Sequence, residues 1–101
     1  MTEIRWTEHA FENLRGIHAQ IALSSPTVAR EVAARLWESV GQLRHFPDSG
    51  RMVPERRSPD LRELVLPPYR LVYRRREEFV EILTVFHGTM RFPRRLPGEA
   101  R

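Results

Sequence analysis

The side chains that could do chemistry concentrate in one stretch, LRELVLPPYRLVYRRREEFVEILTVFHGTMR, Leu61 to Arg91, where arginines interrupt apolar positions and the run closes on His87 and Arg91. Arginine presents a planar, permanently charged fork that matches a phosphate or carboxylate edge, and histidine exchanges a proton near neutrality. A basic sheet ending on a histidine therefore suits gripping a phosphate chain, an acidic peptide, or both in turn. All 17 basic side chains are arginine, and they are unevenly placed: residues 1–50 hold five against six acids, residues 51–101 twelve against seven. The missing lysine fits a coding bias, but the clustering favours a polyanionic or acidic partner.

Other chemistries lack their residues. His9, His18, His45 and His87 have no metal-ligand spacing among themselves, and the 101 residues contain no cysteine, so neither a metal nor a disulfide framework is expected. Glycine-rich nucleotide loops and a G-x-S-x-G elbow are also missing, and no cofactor is expected. The start, MTEIRWTEHA, does not resemble a secretory signal, and runs such as Leu64-Val65-Leu66 are too short to span a bilayer. A cytoplasmic, reducing setting without membrane contact is the expectation.

The elements that must position these residues follow from periodicity. Glu3 to Trp6 reads as a short strand. Thr7 is placed to cap a helix with Ala10, Phe11, Leu14, Ile17 and Ile21 at helical spacing. Ser25-Pro26 restarts the pattern as cap and first helical residue, and Ala29, Val32, Ala33, Leu36, Val40 and Leu43 carry the stripe to about Arg44. Residues 46–60, with three prolines and one glycine, read as an ordered loop. Beyond it the period falls to 2: Leu61–Leu66, Tyr69–Arg75 and Phe79–Phe86 form an antiparallel meander, with Arg70, Val72 and Arg74 on one side of their strand and Tyr69, Leu71 and Tyr73 on the other. The expected fold is one α+β domain over 1–101, with the helical hairpin on one face of the sheet, the other face open, and 93–101 a flexible tail.

This order of elements resembles the toxins of the RelE/ParE superfamily, from bacterial type II toxin-antitoxin modules, across nearly the whole chain. The matching residues are W-T-x-x-A-x-x-x-L-x-x-I at Trp6, Thr7, Ala10, Leu14 and Ile17, P-Y-R-L-V-Y-R at Pro68 to Arg74, and V-E-I-L-x-V-x-H-G at Val80 to Gly88. The resemblance implies a toxin neutralised by a cognate antitoxin that wraps its surface, seated in an apolar groove between helices and sheet and rimmed by arginines.

The superfamily's branches imply two mechanisms. RelE-like members cleave mRNA on the ribosome, which without a metal needs a base, an acid and cations for the phosphorane charge. The resemblance gives Arg70 the place of a phosphate-contacting arginine, His87 that of a strand-end acid/base histidine, and Glu55 a loop where one branch carries a catalytic glutamate. Each also has a plain structural reading: Arg70 can pair with Glu63 on the neighbouring strand, His87 can bond backbone at the turn, and Glu55 can be a solvated loop carboxylate. Moreover, Gly88 stands where histidine-using ribonucleases carry an aromatic, and the lysine-rich loop of another branch has no counterpart. ParE-like members inhibit DNA gyrase without cleaving RNA. The ending H-G-T-M-R-F-P-R-R-L, His87 to Leu96, resembles theirs, and it implies Met90, Arg91, Phe92, Arg94 and Arg95 as contacts to target or antitoxin, joined by Arg62, Arg74 and Trp37. A basic nucleic-acid-binding module, with Tyr69 or Tyr73 stacking on bases, is the third reading. Gyrase inhibition is preferred over mRNA cleavage.

Overall fold

The computed structural model describes residues 1–99. Strand β1 (Glu3–Trp6) leads into helices α1 (Glu8–Ala22) and α2 (Pro26–Ser39), and then come β2 (Arg51–Met52), β3 (Leu61–Leu66), β4 (Tyr69–Arg75) and β5 (Phe79–His87). Both expected caps form: the Thr7 hydroxyl accepts from the Ala10 N–H, and the Ser25 hydroxyl from the Val28 N–H. The second helix stops at Ser39 rather than Arg44, and a 3-10 turn covers Val40–Arg44. The Ser39 hydroxyl donates back to the Leu36 carbonyl at 2.7 Å, and Gly41 follows, a pairing that weakens helical continuation.

The five strands form one sheet in the order β1-β5-β4-β3-β2. The meander is antiparallel as expected, and β1 lies parallel beside β5, with Ile4 opposite Val80 and Trp6 opposite Ile82. Thr7 fixes this junction, because its N–H and its hydroxyl both donate to the Ile82 carbonyl. Strand β2 lies within the segment read as loop. Gly50, just before it, has no room for a Cβ, which would sit 2.7 Å from the Glu63 carbonyl oxygen and the Tyr73 ring. The Tyr73 hydroxyl accepts from the Gly50 N–H and donates to the Pro47 carbonyl.

Two apolar clusters sandwich the sheet. Under the helices, Ala10, Leu14 and Leu36 meet Leu71, Tyr73, Val80, Ile82 and Val85. The opposite face, expected to be open, is closed by a second cluster in which Val53 and Leu96 cover Leu61, Val72, Leu83 and Phe86, with Phe92 packed alongside. Val72 and Leu83 point away from the helices, and apolar side chains there need a cover of their own. The proline-rich loop and the chain after β5 supply it. Of the segment expected to be a flexible tail, Leu96 is 3% exposed and Glu99 bonds Arg56, while residues 100 and 101 lie outside the described residues.

Strand β5 carries a bulge. Val72 pairs with Thr84 but Tyr73 with Ile82, leaving Leu83 unmatched. One extra residue reverses which face each later side chain points to. Val80 and Ile82 face the helices, and after the bulge it is Val85 that does so while Phe86 turns to the other side. Asn13 on α1 settles the irregular backbone: its side-chain oxygen accepts from the Val85 N–H at 3.2 Å and lies 2.9 Å from the Thr84 hydroxyl. No described helix is long and apolar enough to cross a membrane.

Candidate functional site

The bulge decides how the three candidates for RNA cleavage, Glu55, Arg70 and His87, are placed. Arg70 pairs with Phe86 across the β4–β5 ladder, and its guanidinium lies over the Phe86 and Phe92 rings at 5.3 and 5.4 Å. His87 pairs with Tyr69, edge to face with ring centres 5.7 Å apart. Consecutive residues of a strand point to opposite faces, so Arg70 belongs to the face under the loop and His87 to the face of α1. The structure brings Glu55 and Arg70 together and leaves His87 across the sheet.

Arg70 is also fully engaged. Its Nε donates to Glu63 at 2.6 Å, and its two terminal nitrogens bind both oxygens of Glu55 at 2.9 and 2.8 Å. Glu63 has a completely buried side chain and takes a further bond from Arg51 at 2.7 Å. The two carboxylates, Glu55 foremost, hold the Arg70 pKa above its ordinary value. A guanidinium forked onto two carboxylates has no donor pair left for a phosphate. The cross-strand pairing with Glu63 is thus what this arginine does, and Glu55 is its second partner rather than a free base. The Arg70 hydrogen bond holds the Glu55 carboxyl below its usual range.

His87 has a local role. Its Nδ1 accepts the Thr89 N–H at 3.2 Å and sits 2.7 Å from the Thr89 hydroxyl. Its other side opens on a groove of about 400 Å³ between α1 and the end of β4–β5, where Ile17, Ile21, Tyr69, Val85 and Met90 give a mostly apolar lining. This is the expected groove between helices and sheet, with one correction: its polar rim is Glu12, Asn13 and Gln20, not arginine. The arginines of β3 and β4 project to the other face or bind the loop. Ile17 and Ile21, one turn apart on the apolar stripe, were the sequence signal for this lining.

The remaining candidates separate into engaged and free groups. Arg62 bonds the Pro59 and Gly50 carbonyls and holds the loop in place. Arg74 approaches Glu99 at 3.5 Å. Phe92 packs edge to face on Phe86 at 5.8 Å, as part of the second core. Met90, 62% exposed, is the apolar side chain that stands free beside His87, and Arg91, Arg94 and Arg95 are exposed on the segment that follows. Trp37 lies elsewhere, stacked on Trp6 at 5.0 Å with Phe11 edge-on, at the hairpin side of β1. Tyr73 is wholly buried, so it offers no stacking platform for bases. Among the described residues no group of acids and histidines is arranged to hold a metal ion.

One consequence is a defined acid response. Arg56 bonds Glu99 at 2.7 and 3.0 Å and holds its pKa below the ordinary carboxyl value, as Arg70 does for Glu55. A depressed folded-state pKa means stability that is present above the unfolded value, near 4.3, and is lost as pH falls through the folded one. Thermal melts should therefore be flat from pH 7 to about 5 and drop below about 4. Glu99→Gln should cost roughly 1 kcal/mol at pH 7 and reduce that acid-dependent drop. A variant with an unchanged acid profile would show that the pair contributes nothing.

Comparison with known proteins identifies the family. The family described as "ParE toxin of type II toxin-antitoxin system, parDE" matches residues 4–92. A Sinorhizobium fredii protein named "Putative toxin Y4kP" is 41% identical over an alignment of 92 positions that covers 89% of this chain and 92% of that protein. The solved structure "Chromosomal ParDE TA system from P. aeruginosa" aligns with a TM-score of 0.73 over 86% of this chain and 96% of that one, and at 24% identity the likeness speaks for the fold alone. Matched nearly end to end by the family and by a curated relative, the chain belongs to the ParE toxins of type II toxin-antitoxin systems.

Proposed function

We propose that this toxin acts by binding, as an inhibitor of DNA gyrase, and that a cognate antitoxin neutralises it. One observation carries the reading: the groups that metal-free RNA cleavage would require are divided between two faces of the sheet, with Arg70 committed to Glu55 and Glu63 and His87 turned toward α1. General acid/base catalysis needs its groups within hydrogen-bond reach of one substrate position. An inhibitor needs a rigid patch with an apolar anchor instead, and exposed Met90 followed by Arg91 is such a patch. The antitoxin lays an apolar segment into the groove lined by Ile17, Ile21 and Tyr69, a concave surface already formed without a partner.

Two purified systems test this. Added to gyrase and relaxed plasmid, the protein should abolish supercoiling at stoichiometric amounts. Added to ribosomes translating a defined mRNA, it should leave the message intact, and the product of the adjacent small gene should restore supercoiling. Codon-specific cuts in the mRNA that vanish in His87→Ala would overturn the inhibitor reading. Failure of the neighbouring product to form a complex would overturn the antitoxin reading.

A further inference from the structure

We infer that the segment following β5 is a docked arginine strap that grips the phosphodiester backbone of duplex DNA. Nine arginines lie within 4.0 Å of a carboxylate, among them Arg56, Arg70 and Arg74, which touch the strap through Glu99 or Phe92. Among the described residues, Arg91, Arg94 and Arg95 on the strap and Arg57 in the loop beside it are exposed and have no such partner. Loop and strap are joined, because Arg56 donates to the Arg94 carbonyl at 2.9 Å and to Glu99. Arg57 has φ of 51°, a left-handed conformation at the turn of that loop. The carboxylates of this face, Glu55, Glu63 and Glu99, are already bound by arginines, so the free cations face outward without local compensation.

The strap is anchored rather than loose. Phe92 packs on Phe86, Leu96 is buried, and the Glu99 side chain accepts the Leu96 N–H at 2.8 Å. Ordering a loose tail on binding costs conformational entropy, and that cost is already met in the folded protein.

The chemistry of the face selects a phosphate chain over an acidic protein segment. A protein partner needs an apolar anchor to bury; exposed Met90 sits at the β5 end of the strap, but beside Arg94, Arg95 and Arg57 the apolar side chains Phe92 and Leu96 are turned inward to the second core. A nucleic-acid duplex needs only cations, since release of condensed counterions supplies its affinity. The aromatics that would stack on single-stranded bases are likewise absent from the outer surface of this strap. Contacts of this kind are independent of sequence, and they require neither gyrase nor ribosome.

Anisotropy of a labelled 20-base-pair DNA duplex, titrated with the full chain at several salt concentrations, tests the inference. Binding should lie in the ~1–100 μM range and weaken linearly in log salt. The triple variant Arg91→Gln, Arg94→Gln, Arg95→Gln should bind at least about 10-fold more weakly, with a slope lower by roughly 2 to 3, one increment per lost phosphate contact. Arg5→Gln, Arg15→Gln, Arg30→Gln removes the same charge from other surfaces and should change affinity by less than about twofold, which separates contact from overall field. Circular dichroism and melting of both variants control for folding, and Arg57→Gln alone provides a milder fourth reading. A matching RNA duplex serves as the second phosphodiester source, and RNA binding tighter than DNA by about 10-fold would reassign the strap. Equal losses in the two triple variants, no binding by the parent, or tighter binding of a polyglutamate peptide of matched charge would overturn the inference.

Discussion

Arg70→Ala should give a protein that is destabilised by about 3 kcal/mol, not a folded protein with a missing catalytic group. The loss comes from Glu63, whose side chain is fully buried and whose charge is met by Arg70 at 2.6 Å and Arg51 at 2.7 Å. Removing the better-buried partner leaves a carboxylate facing a low-dielectric interior with one half-exposed arginine. About 3 kcal/mol is a large share of the 5–15 kcal/mol available to a domain of this kind. Urea denaturation should show the midpoint fall with little change in slope. The pair itself is not strongly stabilising: Arg70→Met together with Glu63→Leu should recover most of the loss, since a buried ion pair roughly offsets its own desolvation. A stable Arg70→Ala protein with intact melting behaviour would contradict this account and return Arg70 to the list of residues free to meet a substrate.

Ending the chain after Pro93 is the second large effect. Leu96 contributes about 1.5–3 kcal/mol by burial, and Arg56 and Arg74 lose Glu99 at once. The expected loss is about 3 kcal/mol, with self-association as Val53, Leu61 and Leu83 meet solvent. Sedimentation and urea midpoints check both parts. Leu96→Ala should account for at least half of the destabilisation, which ties the effect to packing on the sheet rather than to chain length. If the shortened chain melts like the parent and stays monomeric, the strap is not part of the core.

Much of this architecture was legible from local signals. Thr7, Ser25 and Pro26 announced the helix starts, and the change of period at Leu61 announced the sheet. The cross-strand reading of Arg70 with Glu63 and the backbone reading of His87 also hold. Three features escaped, each for a physical reason. The two-residue strand Arg51–Met52 is too short to show alternation. The cover over the second face comes from Val53 and Leu96, isolated apolar residues among prolines and arginines, and their burial depends on contacts far along the chain. The position of His87 depends on the bulge at Leu83. Read with strict alternation, Val80 and Ile82 toward the helices would place His87 on the face of Arg70, and one unmatched residue moves it across the sheet. Family likeness alone could therefore name the three catalytic candidates without revealing that Glu55 and Arg70 bind each other while His87 stands across the sheet.

The parallel pairing of β1 with β5 has a consequence for how the cell makes this protein. Glu3 to Trp6 leave the ribosome long before their hydrogen-bonding partners, which begin at Phe79, and the Thr7 side chain waits for a carbonyl 75 residues downstream. Contacts this distant in sequence close late, because the intervening chain must be synthesised and its loop entropy overcome. The helical hairpin emerges with its apolar stripe uncovered and stays so until the last strand has cleared the exit tunnel. A translation product that stops before Phe79 is then not a weaker toxin but an unfinished one, exposed to chaperones and proteases. The β1 edge of the sheet therefore forms only after β5 has been made, a built-in delay between the start of synthesis and the first folded molecule.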